Sequence, residues 1–329
     1  MRNDFYFPSS DGETRIHGTE WIPEGEVRAV LQICHGMSEY ILRYDHFARF
    51  LNQRGIYVTG HDHLGHGESV SVETAHMETA PVEHEAGQKH GYFHHPDGNE
   101  CLIRDIHRLR CITQDKYPGL PYFLLGHSMG SFLVRQYMML HGEGMNGVII
   151  MGTGSPAPAS VAAGVILCRL LAALKGWGYR CNLVDSIVSS SYNDKFKPVR
   201  TPYDWLSKDK EMVDAFAADP WCSFIFTLNG FYQMFRGIRF IQKRKNIRRF
   251  PVDCPVLLVS GADDPVGESG RGVRKVFRDY RRMRKEPELK KLVKMRLYPG
   301  DRHEILNETD RSKVFCDLGL WLDHYIGII

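Results

Sequence analysis

The sequence predicts an α/β architecture: a largely parallel sheet with helices on both faces and a helical insertion over one edge. Three observations predict it. Short, continuously apolar runs alternate with longer segments of helical spacing, as a parallel sheet with crossover helices requires. The stretch from Ser155 to about Phe250 breaks that alternation. The 329 residues, 43% hydrophobic and 25% charged, suit one α/β domain carrying an insertion.

The elements follow in order. Asp4–Phe7 and Thr14–Trp21 read as an antiparallel pair, turned at Ser9-Ser10-Asp11-Gly12. Ala29–Cys34 is a buried strand that ends in His35-Gly36. Arg43–Arg54 holds Phe47, Phe50 and Leu51 at helical spacing and stops at Gly55; Ile56–Thr59 is the next strand. Asn99–Tyr117 is helical through Ile103, Ile106, Leu109 and Ile112, and ends before Pro118. Tyr122–Leu125 is a strand, followed by a glycine-rich turn, a helix through Leu140, and the strand Gly147–Met151.

Gly154-Ser155-Pro156-Ala157-Pro158 then opens the insertion with loop chemistry. Two or three helical patterns and many aromatics follow, and we read them as a cap over the C-terminal edge of the sheet, where open α/β sheets bind ligands. Pro255–Ser260 and Val293–Tyr298 resume the sheet, with a basic helix around Arg274–Arg284 between them. A helix from about Asp310 to Tyr325 closes the chain. The division expected is core over 1–154, helical cap over 155–250, and core again over 251–329.

Composition excludes several classes. A net charge of +3, with no basic run interleaved with aromatics, excludes nucleic acid as the main partner. The N-terminus has no apolar core of a secretory signal. The longest apolar run, Val161 to Leu174, is interrupted by Arg169 and is shorter than the roughly 20 residues a bilayer demands, so the expected compartment is cytoplasmic. Eight scattered cysteines without a Cys-x-x-Cys pair read as reduced, mostly buried thiols. His76, His84, His90, His94 and His95 lack ligand spacing and read as a solvated loop; no metal and no cofactor is expected.

Gly126-His127-Ser128-Met129-Gly130 carries the chemistry. With 31 glycines and 18 serines in the chain, Gly-x-Ser-x-Gly arises by chance about 0.16 times, so the pattern alone decides little. Its setting decides more, since it follows one strand and opens a helix, as a nucleophile elbow does. Gly126 and Gly130 keep side chains off the neighbouring backbone while a strained turn lifts the Ser128 hydroxyl. Two backbone N–H groups must face the oxyanion. Met129 supplies one, and the loop His35-Gly36-Met37 supplies the other through Met37, with Gly36 allowing close approach.

Chain order then places the acid after a late strand and the histidine after the last. Asp264, directly before Pro265, is preferred to Asp263 in the loop Gly261–Pro265. His303 is the only histidine between that acid and the final helix. Asp301 and Glu304 read as solvated neighbours.

With these residues placed, the chain resembles the monoacylglycerol lipase and lysophospholipase group of α/β hydrolases, also labelled serine aminopeptidase-like. The matching segments are His35-Gly36-Met37 through Arg43-Tyr44, Asp62-His63-Leu64-Gly65-His66-Gly67-Glu68-Ser69, Tyr117–Pro121 through Gly130, Gly261–Asp264, and Gly300–His303. Tyr40 and Ser131 depart from the group's pattern, which commonly has histidine and glycine there. The cap segments Asn193–Lys197 and Tyr203–Ser207 are similar to those of bacterial members. The resemblance implies the α/β-hydrolase fold, the Ser128, Asp264 and His303 triad, and a small ester substrate with an acyl chain.

Val161–Leu174 could line an acyl channel, touch a membrane surface transiently, or pack within the cap. The basic segments Arg236–Arg249 and Arg271–Lys294 read as solvated helix faces. A peptidase or amidase is the alternative activity and would need a carboxylate for a free amine, with Asp185, Asp194, Asp204 and Glu211 as candidates. A non-catalytic binding protein of this fold would lack a triad member, and none is lacking.

Overall fold

The computed structural model describes residues 1–70 and 90–327. Among these residues eight strands form one sheet: β1 (Arg2–Pro8), β2 (Arg15–Trp21), β3 (Ala29–Cys34), β4 (Ile56–His61), β5 (Tyr122–His127), β6 (Gly147–Met151), β7 (Val256–Gly261) and β8 (Val293–Tyr298). Their order across the sheet is β1-β2-β4-β3-β5-β6-β7-β8. The pairs β1/β2 and β2/β4 are antiparallel and the remaining pairs parallel. This is the expected α/β-hydrolase architecture.

The strand sequences explain why the sheet is covered twice. In β3, Ala29, Leu31 and Ile33 join one core while Val30 and Cys34 join the other. In β5, Phe123 and Leu125 face one side, Tyr122 and Leu124 the other. Side chains alternate along a strand, so a continuous apolar run must feed both faces. Helices α1 (Asp45–Asn52) and α11 (Arg311–Ile326) cover one face; α2 (Gly98–Lys116), α3 (Met129–His141) and α9 (Arg271–Met283) cover the other.

The chain runs from β3 out to β4 and returns to β5, which lies on the other side of β3. That reversal opens a crevice at the carboxyl ends of β3 and β5, the place where such sheets hold ligands. Cys34 lies opposite Gly126 and His127 opposite Met151, so the loops after these strands emerge side by side.

Between β6 and β7 the chain forms α4 (Pro158–Lys175), α5 (Asn182–Ser189), α6 (Lys210–Ala218), α7 (Leu228–Ile241) and the short α8 (Arg244–Ile247). That is more than the two or three helices expected. The extra ones are short, and α6 is set by its cap rather than by a long apolar stripe: the Asp209 carboxylate accepts from the N–H groups of Glu211 and Met212. Helix α4 lies antiparallel to α7, with Trp177 O accepting from Asn229 N–H at one end and Pro156 O from Gln242 Nε2 at the other. A Cβ on Gly164 would come within 2.7 Å of the Phe235 ring, so glycine lets the two helices close.

Helix α4 also corrects the length read from the apolar run. It spans 18 residues and is long and apolar enough, by length and composition, to cross a membrane. Arg169 did not end it, because a single arginine is carried on an exposed helix face. The short helix α10 (Pro287–Lys291) directly precedes β8. All eight cysteines are free, and six are buried.

Candidate active site

Ser128 sits between β5 and α3 with φ 54° and ψ −118°, outside the regions an L-residue ordinarily occupies. The glycines around it are sterically required. A Cβ on Gly130 would stand 2.1 Å from Cys34 O, and one on Gly126 would stand 2.3 Å from Gly130 O. A Cβ on Gly36 would lie 3.1 Å from Ser128 Cβ, so the loop after β3 runs against the elbow. Among the described residues neither Met37 N–H nor Met129 N–H has a protein acceptor.

His303, in the loop after β8, is 1% exposed. Its Nδ1 lies 2.9 Å from Asp264 Oδ1. Asp264 is wholly buried, and Oδ2 accepts from Ser260 Oγ at 2.8 Å while Oδ1 accepts from Val266 N–H at 2.9 Å. Burial pushes the Asp264 carboxyl up, but the His303 ring and these donors outweigh it and hold the group ionised below the ordinary value. Asp263 points outward and pairs with Lys195 Nζ at 3.1 Å. The other imidazole nitrogen, His303 Nε2, is buried and makes no hydrogen bond. It is left facing whatever donor shares its cavity.

That cavity, of about 800 Å³, holds Ser128, Met37, Met129 and His303 on one wall. Val161, Leu167, Val184, Phe224, Phe235 and Ile238, from the cap helices and their connections, contribute to a mainly apolar lining. Of the four carboxylates considered as amine ligands, only Asp185 lines it. Asp194 pairs with Lys197, Asp204 accepts from the Arg200 and Thr201 backbone, and Glu211 is exposed on α6.

Asp301 and Glu304 are corrected by the structure: neither is solvated. Asp301 is fully buried and pairs with Lys208 Nζ at 2.6 Å. Glu304 is 5% exposed and makes a two-pronged pair with Arg43, both contacts at 2.7 Å. Charged residues beside Pro-Gly look like surface loop in sequence; here cationic partners from distant segments make burial tolerable.

Arg43 also reaches Glu39 Oε2 at 2.8 Å. Glu39 Oε1 accepts from Gly36 N–H, from Tyr44 Oη at 2.9 Å, and lies 3.1 Å from His127 Nδ1. Burial works against charge on both partners. The pairing prevails, so Glu39 is held well below and His127 above its ordinary value. Sequence reasoning missed Glu39, Arg43, Glu304 and His127; the four-residue spacing of Glu39 and Arg43 was the one local signal.

The two departures from the family pattern both have partners. Tyr40 Oη donates to Asp219 at 2.7 Å, and Ser131 Oγ donates to Ser128 O at 2.5 Å. His76 and His84 lie outside the described residues. His94 lies 3.6 Å from Asp97, and His95 packs on Trp177. Among the described residues no group of three His, Cys, Asp or Glu side chains is arranged so that it could hold a metal ion.

The family model described as serine aminopeptidase, S33, matches residues 25–310. The chain belongs to this family. It is 26% identical to the monoglyceride lipase of Rattus norvegicus over 94% of its length and 86% of that protein. It is 25% identical to the monoacylglycerol lipase of Mycolicibacterium smegmatis over 94% of each. Among solved structures it is similar to a thermostable carboxyl esterase from Bacillus coagulans, in complex with glycerol, at TM-score 0.85 and 28% identity over 99% of both chains. A soluble variant of the Saccharomyces cerevisiae monoglyceride lipase, with a substrate analog, shares the fold at TM-score 0.72 and 21% identity, over 98% of this chain and 94% of that one.

Proposed function

We propose that this S33-family member is a carboxylic-ester hydrolase acting on small acyl esters, monoacylglycerols or lysophospholipids, with Ser128, Asp264 and His303 as its triad. The observation that carries this is the placement of the elbow serine, a buried histidine oriented by a buried carboxylate, and two unspent backbone N–H groups on one wall of an apolar cavity. The similar proteins named as lipases and esterases support the same reading.

His303 Nε2 takes the proton as Ser128 Oγ attacks the ester carbonyl. The charge that develops on the carbonyl oxygen is met by Met37 and Met129 N–H. Asp264 holds the ring and stabilises its charged form. Collapse expels the alcohol, which receives that proton, and leaves an acyl group on Ser128. Water activated by His303 then attacks the acyl carbonyl and frees the acid.

The acyl chain lies along the cap lining. Ile166, Leu170 and Leu174 on α4, with Leu183 on α5, stay exposed away from the cavity. We read that face as resting transiently on a lipid surface while substrate enters.

Asp185 favours one second reading. Burial raises its carboxyl, and of the three carboxylates that line the cavity it is the one not paired with Arg43, as Glu39 and Glu304 are, which leaves it to hold a substrate amine, as an aminopeptidase needs. The mainly apolar lining suits an acyl chain better.

The deciding experiment labels wild type and Ser128→Ala with a fluorophosphonate, then ranks monoacylglycerols, lysophospholipids, short aryl esters and aminoacyl amides by kcat/KM. Labelling that is lost with Ser128, together with ester turnover that rises with chain length, is expected. Equal labelling of the variant would remove Ser128 as nucleophile, and a preference for amides would move the function to Asp185 and peptides.

A further inference from the structure

Loop 299–308, which carries His303, follows β8 at the edge of the sheet, so among the described residues no further strand lies beyond it to hold it. The cap takes that place. Glu304 N–H donates to Leu206 O at 2.7 Å, and His303 N–H to Trp205 O at 3.4 Å. Arg302 Nη1 donates to Ser207 O at 3.1 Å and to Asp204 O, and its guanidinium lies 4.1 Å from the Phe196 ring centre. From the other side, Ser207 Oγ donates to Asn307 O at 2.9 Å, and Lys208 N–H to Glu308 Oε2 at 3.0 Å.

Side chains make the same junction. The Trp205 indole packs on the His303 imidazole with ring centres 5.0 Å apart. Tyr192, also from the cap, packs on the indole at 4.7 Å. The imidazole touches one further ring, His127 of the core, at 4.7 Å.

The Asp264 hydrogen bond fixes one atom of His303 and leaves the ring free to tilt about that contact. The plane of the ring sets where Nε2 points, and proton transfer requires that direction to be held within narrow limits. We propose that Trp205 and Arg302 are positioning residues for His303. The cap segment Asp204–Lys208 thereby sets the plane of the base, and the enzyme's competence depends on that segment being seated. The proposal rests on His303 being the base of the reaction above. It extends that reading by assigning the cap a part in the chemistry in addition to the acyl cavity.

The test uses full-length Trp205→Leu, Trp205→Phe, Arg302→Ala and Arg302→Lys, with His303→Ala as control. The substrate is a short aryl ester, whose acyl group is too small to depend on the distal cavity. Trp205→Leu is expected to lower kcat about tenfold or more while KM changes less than about threefold. Trp205→Phe should recover most of the loss, because an aromatic face is restored. Arg302→Ala should reproduce the kcat loss without touching the ring, with Arg302→Lys in between. In folded Trp205→Leu, the downfield proton resonance of the His303–Asp264 hydrogen bond should move from its wild-type position.

An unmoved resonance with unchanged kcat in both Trp205→Leu and Arg302→Ala would overturn the proposal, as would a loss confined to KM. If Trp205→Leu fails to fold, the Arg302 pair and Trp205→Phe decide the matter by the same criteria. Wild-type labelling in His303→Ala would instead overturn the triad itself, so the two failures are distinguishable.

Discussion

Glu39 ties four groups to one carboxylate: Gly36 N–H, Tyr44, His127 and Arg43. It therefore joins the loop that offers Met37 N–H, the residue before Ser128, and through Arg43 the residue after His303. Glu39→Gln keeps the shape and removes the charge that holds Arg43 and His127. Removing one partner of a buried ionic group costs about 3–5 kcal/mol, so the urea midpoint should fall. The kcat should fall about tenfold or more, since Gly36 and His127 lose their tether. An unchanged midpoint and an unchanged kcat would show that the carboxylate holds nothing in place. The triad variants are a separate matter. Asp264→Asn should leave folding near wild type and lower kcat about 10⁴-fold, as loss of the orienting acid does.

Elements differ in how openly they are written in the chain. Strands β3, β5, β6 and β7 were legible because a strand buried on both faces must be continuously apolar. Ser128 and Asp264 could be singled out because each stands in a loop directly after such a strand, whereas His303 follows the half-buried β8 and was found as the only histidine between Asp264 and the final helix. The short cap helices α5 and α6 were less legible, since eight or nine residues give too few turns for an apolar stripe to stand out. Long-range partners were not legible: Arg43 and Glu304 are 261 positions apart, and Trp205 meets His303 only through the fold.

The elbow gives an element-scale test. Gly130→Ala would drive a methyl to 2.1 Å from Cys34 O, a backbone atom of a central strand. Gly12→Ala adds the same methyl where nothing lies within 4 Å, although φ there is 83°. Gly12→Ala should cost about 1 kcal/mol, and Gly130→Ala about 3 kcal/mol or more with loss of activity. Similar urea midpoints would contradict the tight seating of the elbow. For α4, Leu170→Glu with Leu174→Glu should weaken co-sedimentation with phosphatidylcholine vesicles, while turnover of a soluble short ester stays within about twofold. Undiminished co-sedimentation would remove that face as the contact.

At the scale of the whole molecule, buried histidines make stability depend on pH. His35, His61, His63 and His66 are fully buried and packed together, with ring centres of His35 and His63 4.2 Å apart and of His61 and His63 4.9 Å apart. Burial disfavours their charged forms and lowers all four, His61 to about 3. For His35 the geometry agrees, because its Nε2 accepts from His63 N–H at 2.8 Å and so carries no proton. A histidine lowered by folding binds its proton in the unfolded chain first. Its contribution is complete above about 6.5 and is lost as pH falls below that value, at up to about 1.4 kcal/mol per pH unit for each ring.

His17 and His127 are raised against their burial by carboxylate partners, so their contribution is lost on the alkaline side and adds no slope below 6.5. Asp301, raised to about 6 by burial against the pull of Lys208, with Asp105 and Asp185, raised by burial, gain protons in the folded state and offset up to three of the four, while His107 and His141, lowered by partial burial, add to the loss. Stability should therefore fall by at least about 1 kcal/mol per pH unit below 6.5, a sizeable share of the 5–15 kcal/mol typical of a folded domain. Glu39, Glu304 and Asp264 are lowered by their partners and add a further loss only as pH passes below about 4. Urea midpoints measured from pH 7.5 to 5 should drop, and His61→Gln should reduce the slope by about one proton. A flat profile would mean that these rings take up protons without unfolding the sheet edge they occupy. Because His35 directly precedes Gly36, acid would then disarm the loop holding Met37 N–H in the same step that loosens the fold.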